Sequence, residues 1–165
     1  MLSKAMQDAI NEQIKKELAS AYLYLAMSAH CEAVNLPGCA HWLRIQSQEE
    51  VGHGMKLFGV VNDRGGRVTL HAIEQPPAKF KSLLDIFEQT LENERKVTES
   101  IHKLYALAVR ESDYPTQAML QWFITEQVEE EKRAHQLVEE LKLAGHEGAA
   151  LLFFDRQLAA RTAGA

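Results

Sequence analysis

Residues 43–60 read LRIQSQEEVGHGMKLFGV, an amphipathic helix pattern whose apolar stripe is broken in the middle. Seven-residue spacing places Leu43, Glu50 and Leu57 at one inward position of the helix. His53, one turn after Glu50, lies at the neighbouring inward position of the same helix. A helix that buries this face also buries a carboxylate and an imidazole, and buried charges are normally paired or bound to a metal.

The same interruption recurs on three other predicted helices. Glu17, Glu94 and Glu130 each stand on the inward stripe of a different segment. Five helices are predicted, over residues 4–33, 39–64, 83–111 and 114–145, with a short one over 148–161. Helices of ~26–30 residues span roughly 40–45 Å, and four of them with inward stripes form an all-α four-helix bundle. We therefore expect one domain over residues 1–165, with the bundle over about 4–145.

A long connection between the second and third helices sets the expected topology. Residues 65–81 can extend over ~50 Å, which is enough to cross the whole bundle, whereas the other links are short. The second and third helices should therefore run parallel, in an up-down-down-up order. Within the connection, residues 67–73 are extended in character and are a candidate for pairing with another chain.

The composition is that of a globular protein and excludes several classes of function. The 165 residues are 46% hydrophobic and 25% charged, with a net charge of −5, so no nucleic-acid partner is expected. No stretch approaches the ~18 apolar residues of a membrane span, and the N-terminus has no signal-peptide core, so we expect a cytoplasmic protein without a membrane partner. Cys31 and Cys39 form neither a CxxC pair nor a zinc spacing, and reduced thiols are expected.

The four mid-stripe glutamates should lie at one height in the bundle. Glu17, Glu50, Glu94 and Glu130 each fall within about three residues, or ~5 Å of rise, of the midpoint of their predicted helix. Each buried ion costs several kcal/mol, and no lysine or arginine stands at a neighbouring inward position of these helices. Four carboxylates carry a charge of −4, which two divalent cations balance.

The residue types indicate which metals such a layer would bind. Glu50 and His53 form a Glu-x-x-His pair on one helix face, which is the di-iron carboxylate motif of helical bundles. Carboxylate ligands with a single imidazole suit iron or manganese, whereas a structural zinc site would use thiolates.

The stretches that carry these glutamates resemble those of bacterial non-haem ferritins, and the resemblance covers nearly the whole chain. They read NEQIKKE (11–17), QEEVGH (48–53), LENE (91–94) and DYPTQAMLQWFITEQVEEEK (113–132). The resemblance implies a ferritin-like four-helix bundle with a long crossover and a short fifth helix. It also implies a shell of 24 subunits that oxidises Fe(II) with O₂ or hydrogen peroxide and stores ferric mineral.

The family's di-iron centre carries over residue by residue onto this sequence. By resemblance, Glu17 and His53 bind the first of two irons per subunit, Glu50 bridges both, and Glu94 and Glu130 bind the second.

Further site residues follow from the same resemblance. Gln127 would stand beside the centre as a hydrogen-bonding group, and Tyr24 would be a hydrogen-bond partner of Glu94 and a candidate electron donor. A third iron site is implied at four glutamates: Glu49, Glu126, Glu129 and Glu130. No haem is expected, because Val51 stands where bacterioferritins carry their haem-binding methionine.

Two other functions remain open at this point. A rubrerythrin-like di-iron peroxidase or oxygenase could use the same ligands, although the fourth helix offers Gln127-x-x-Glu130 instead of a second Glu-x-x-His. It would also require an electron-transfer partner, and the chain has no CxxC rubredoxin-like segment. A metal-free helical interaction module would tolerate leucine at all four glutamate positions.

Apolar residues outside the predicted core indicate self-association. One set forms a second stripe on the first helix: Leu18, Tyr22, Leu25 and Ala29. Another lies in the last helix: Leu151, Leu152, Phe153, Phe154 and Leu158. Both sets exceed what an isolated subunit needs to bury, so we expect them at subunit interfaces.

Overall fold

The computed structural model describes residues 1–164, which form five α-helices and no strands. Their bounds are α1 Lys4–Ala33, α2 Pro37–Asp63, α3 Leu83–Arg110, α4 Tyr114–Ala144 and α5 Gly148–Leu158. No helix within these residues is both long and apolar enough to cross a membrane.

Side-chain caps explain where three of the long helices begin. Ser3, Ser82 and Asp113 each accept a hydrogen bond from the backbone N–H three residues later, at 3.0, 3.0 and 3.2 Å. These contacts satisfy amides that have no partner inside the helix. Pro37 and Pro115 occupy the first turns of α2 and α4, where the missing N–H costs nothing.

Neighbouring helices pack as two antiparallel pairs. On α1 and α2, Ser47 donates to the carbonyl of Ala21 and Ser28 to the carbonyl of Ala40, both at 2.7 Å. Residue numbers rise along α1 while those of the contacting residues fall along α2, so the two helices run antiparallel. On α3 and α4, Gln127 likewise donates to Glu94 at 3.2 Å.

The crossover from α2 to α3 runs along α1 over most of its length. Near its start, the backbone of Arg67 accepts from Asn11 at 3.1 Å and donates to Gln7 at 2.8 Å. At its far end, the ring of Phe80 stacks edge-on against His30, with centroids 5.4 Å apart. The expected up-down-down-up order is therefore confirmed.

One sequence expectation at the periphery of the bundle stays a prediction, and another is corrected. Residues 67–73 form no strand within the subunit, where the backbone of Arg67 bonds to Asn11 and Gln7 of α1, and their pairing with another chain is not tested by a single subunit. The fifth helix ends at Leu158 instead of Arg161, since residues 159–161 turn and the Arg161 N–H bonds to the carbonyl of Leu158 at 3.3 Å.

The apolar residues expected at interfaces divide into exposed and buried groups. Tyr22 and Leu25 on α1 are 48% and 47% exposed, and Phe153 on α5 is 71% exposed. Phe154 and Leu158, in contrast, pack into the core of the same subunit, so that part of the interface prediction is wrong. They face inward because α5 folds back onto the start of α2, where Asp155 accepts from the Cys39 N–H at 2.8 Å.

A layer of polar residues divides the bundle core into two apolar clusters. One cluster includes Tyr24, Leu43 and Phe87 together with α5 residues, and the other includes Ile10 and Phe123. All four mid-stripe glutamates lie between these clusters and are at most 1% exposed.

Candidate metal centre

Three of the predicted ligands converge at the middle of the bundle. Glu17, Glu50 and His53 each offer a ligand atom, and these atoms lie within 4.8 Å of one another. The His53 Nδ1 is 3.6 Å from Glu50 Oε2 and 4.0 Å from Glu17 Oε2. None of these three buried atoms has a hydrogen-bond partner. Because unpaired buried polar atoms are costly, three of them facing one point fit a site for a cation.

The remaining oxygens of this cluster are held by glutamines from inward positions. Gln13 donates to Glu17 Oε1 at 2.8 Å, one turn away on α1. Gln46 donates to Glu130 Oε2 at 2.8 Å and lies 3.5 Å from Glu50 Oε1, so its amide links two of the carboxylates. The sequence placed both glutamines on the inward stripe without indicating this role.

Glu94 lies on the opposite side of the layer and has its own set of donors. Tyr24 Oη donates to Glu94 Oε1, and Gln127 donates to Glu94 Oε2 at 3.2 Å. Asn93 in turn donates to Tyr24 Oη at 2.9 Å and fixes the phenol. Tyr24 and Gln127 thus both lie beside Glu94, and their roles at the centre stay predictions.

Burial raises the pKa of all four carboxyl groups in the layer, and repulsion between them adds to this at Glu50 and Glu94. Desolvation raises the pKa of Glu50 well above 4.5, and the charges of Glu94 and Glu17 add to it. Desolvation, then the charge of Glu130, raises the pKa of Glu94 to about 8. The pKa values of Glu17 and Glu130 are also raised by burial. An empty layer therefore holds protons at neutral pH, and a bound cation would displace them.

A family model of the ferritin-like domain matches residues 7–144. The chain belongs to the ferritin family. It is 39% identical over 158 residues to a bacterial non-heme ferritin of Escherichia coli, covering 96% of each chain, and 36% identical over 162 residues to one of Staphylococcus aureus, covering 98% of each. Both the family and the fold expected from the sequence are thereby confirmed.

A solved ferritin structure supports the same assignment. An open pore ferritin from the archaeon Archaeoglobus fulgidus superposes with a TM-score of 0.97 at 46% identity, covering 98% of this chain and all of that one. Ferritin membership predicts iron storage, and the Glu17–Glu50–His53 cluster is compatible with a di-iron site.

The other glutamates predicted as ligands do not belong to this cluster: Glu49, Glu94, Glu126, Glu129 and Glu130. Within residues 1–164, Glu17, Glu50 and His53 form the single group of three or more potential ligands that meets the 4.8 Å spacing. Glu129 is exposed and lies 3.9 Å from Lys132, and Glu126 is half-buried.

Two arginines reach the acidic layer, although the sequence predicted no cationic side chain beside these glutamates. Arg133 Nη1 lies 3.3 Å from Glu130 Oε1 and 3.9 Å from Glu49 Oε2. Arg161 Nη2 lies 2.6 Å from Glu49 Oε2. Arg133 follows Glu130 by one turn, so its proximity could have been read from the spacing. Arg161 lies 112 residues from Glu49 and beyond the last helix, and no local pattern marks it.

The glycines beside His53 leave the bundle packing intact. A Cβ at Gly52 would meet nothing within 4 Å, and one at Gly54 would come no closer than 3.5 Å to Leu18. Nothing in the structure explains why glycine occupies either position. The Trp122 and His53 rings pack edge-to-face, with centroids 5.4 Å apart, and Trp42 is buried in the core.

Proposed function

We propose that this ferritin oxidises Fe(II) at a di-iron centre in the middle of each subunit and stores the ferric product. The observation that supports the proposal is the buried cluster in which Glu17 Oε2, Glu50 Oε2 and His53 Nδ1 face one another without hydrogen-bond partners. Fe(II) is the substrate, and O₂ or hydrogen peroxide is the proposed oxidant.

Each ligand takes a role that its position allows. Glu17 and His53 bind one Fe(II), while Glu94 and Glu130 bind a second. Glu50 lies between the two proposed iron positions. It belongs to the cluster with Glu17 and His53, and its Oε1 lies 3.5 Å from the Gln46 amide that donates to Glu130. Two Fe(II) ions held by a shared carboxylate can supply two electrons to one oxidant molecule. Carboxylate oxygens are hard ligands and favour the more highly charged ferric product.

The surrounding residues keep the carboxylates oriented for this chemistry. Tyr24 and Gln127 donate to the two oxygens of Glu94, and Gln13 donates to Glu17 Oε1, the oxygen outside the cluster. These hydrogen bonds hold the carboxylates of Glu94 and Glu17 in place before iron arrives, as partners of metal ligands commonly do. The proximity of Tyr24 to Glu94 also supports its proposed role as an electron donor.

We further propose that 24 subunits assemble into a closed shell in the cytoplasm. The exposed Tyr22 and Leu25 on α1 and the exposed Leu152 and Phe153 on α5 form apolar surface that an isolated subunit leaves in water. Cys31 and Cys39 are buried free thiols, which agrees with a reducing compartment.

Rapid mixing of iron-free protein with Fe(II) in air tests the catalytic proposal. Wild-type protein should give a fast rise in ferric absorbance, and Glu50→Ala should abolish the fast phase because both irons lose a shared ligand. Glu88→Ala, which removes an exposed carboxylate from α3, is the matched control and should behave as wild type. Equal fast phases in the wild type and Glu50→Ala would reject the proposed centre.

Particle mass measured together with iron content separates storage from a peroxidase that does not store iron. A closed shell of 18.6 kDa subunits would have a mass of about 450 kDa and would retain many irons per subunit after oxidation. A dimer that holds only two irons per subunit would leave the centre intact and exclude storage.

A further inference from the structure

The chain places one of its own cations among the glutamates expected to form a third iron site. Arg161 follows α5, and its side chain is only 6% exposed. The guanidinium donates from Nη2 to Glu49 Oε2 at 2.6 Å and from Nη1 to Gln46 Oε1 at 2.9 Å. It also lies over the ring of Trp42, 4.3 Å from the centroid, where a cation is favourable.

Several contacts hold this arginine in place. The same guanidinium donates to the Trp42 carbonyl at 3.3 Å, and the backbone carbonyl of Arg161 lies 2.8 Å from His41 Nε2. The other oxygen of Glu49 accepts from the Gly164 N–H at 3.2 Å. Both carboxylate oxygens of Glu49 are thus used by the segment that follows α5.

A third iron at this place would require carboxylates that converge on one point, and they do not. Glu49 is bonded through both carboxylate oxygens to the segment that follows α5, while Glu129 is exposed and lies 3.9 Å from Lys132. The arrangement therefore disagrees with the three-iron expectation that the resemblance gave.

We propose that Arg161 occupies the position of the third cation, so that each subunit binds two iron ions and Glu49 binds none. A guanidinium remains protonated at any physiological pH and satisfies a carboxylate through directional hydrogen bonds. An incoming Fe(II) would have to displace these bonds and leave a buried positive charge beside it. This inference rests on the proposed di-iron centre and sets the number of iron ions bound by each subunit at two.

Calorimetric titration of the assembled, iron-free protein with Fe(II) under argon tests this proposal. Wild type should bind two ions per subunit, and Arg161→Ala should gain a third. Arg156→Ala removes the same charge from an exposed position of α5 and should still bind two. In the Arg161→Ala background, Glu49→Gln should return the number to two, because the regained site depends on that carboxylate.

The outcomes separate this inference from the proposed function. Equal stoichiometry in wild type and Arg161→Ala, whether two or three, overturns the inference and leaves the di-iron centre standing. The absence of tight binding in wild type overturns the proposed function and the inference with it. If Arg161→Ala does not assemble, iron-edge diffraction from wild-type crystals soaked anaerobically in Fe(II) decides. No anomalous peak beside Glu49 supports the inference, and a peak there overturns it.

Discussion

At the scale of single residues, three buried atoms without hydrogen-bond partners distinguish this layer from an ordinary polar core. Glu17 Oε2, Glu50 Oε2 and His53 Nδ1 all lack partners, whereas nearly every other polar side-chain atom of the layer is bonded. Gln13 donates to Glu17 Oε1 and Gln46 to Glu130 Oε2, while Glu17 Oε2 and Glu50 Oε2 have no hydrogen-bond donor. Protons neutralise such a layer when it is empty, and cations do so when it is filled.

The raised pKa of Glu94 makes the stability of the metal-free protein depend on pH. In the folded state this pKa is raised from 4.5 to about 8, so folding is favoured by protonation of Glu94. Its stabilising contribution is complete below about pH 4.5 and is lost as the pH rises through 8. Glu94→Gln mimics the protonated form, and should melt at nearly the wild-type temperature at pH 5.

At pH 9, in the presence of a chelator, the same variant should melt at least about 2–4 °C above wild type, which corresponds to about 1 kcal/mol. Glu88→Gln, at an exposed position of α3, serves as the control and should show no such pH dependence. A melting difference between Glu94→Gln and wild type that is the same at pH 5 and pH 9 would contradict the protonated layer.

At the scale of secondary structure, two of the four glycines of α2 have sharply different surroundings. A Cβ at Gly38, in the first turn, would fall 1.7 Å from the backbone oxygen of Asp155 on α5. A Cβ at Gly52 would point into open space. The first glycine permits α5 to dock, and the second only weakens the helix.

Alanine substitutions at these glycines should therefore change stability in opposite directions. Gly52→Ala should raise the free energy of unfolding by about 0.5–1 kcal/mol, because alanine is the better helix former and meets no neighbour. Gly38→Ala should lower it by about 1–3 kcal/mol, since α5 must shift away from α2. Urea denaturation of both variants measures the two effects, and a loss of stability in Gly52→Ala would show that this glycine has a structural role.

The helices and the inward glutamates could be predicted from sequence because both rest on local spacing. Ser3, Ser82 and Asp113 mark helix starts through contacts only three residues long, and the Glu50–His53 pair is one turn apart. The end of α5 could not be predicted, because the turn after Leu158 depends on Arg161 reaching Glu49 across 112 residues. Long-range contacts of this kind leave no periodic signal in the chain.

At the scale of the whole molecule, apolar surface on α1 indicates that the subunit does not function alone. Tyr22 and Leu25 lie about one turn apart, and each is nearly half exposed. They stand on the face of α1 turned away from the buried Tyr24 and Met27. Burial of such a stripe against a second copy of the chain is a common basis of symmetric assembly.

A charge placed on this stripe should prevent assembly without unfolding the subunit. Leu25→Arg should shift the particle mass from the expected shell to a small species when measured by light scattering, because an unpaired guanidinium cannot be buried at an interface. Gln136→Arg adds the same charge to an exposed position of α4 and should leave the mass unchanged. A full-sized particle formed by Leu25→Arg would place the interface elsewhere.

The central claim is that the layer of buried carboxylates with His53 binds iron. Diffraction at the iron absorption edge, from crystals soaked in Fe(II) without oxygen, tests it most directly. We expect an anomalous peak within bonding distance of Glu17, Glu50 and His53, with a second peak between Glu50, Glu94 and Glu130. Fully soaked crystals with no peak at this layer, and with the three unpartnered atoms bonded to one another or to water, would contradict it.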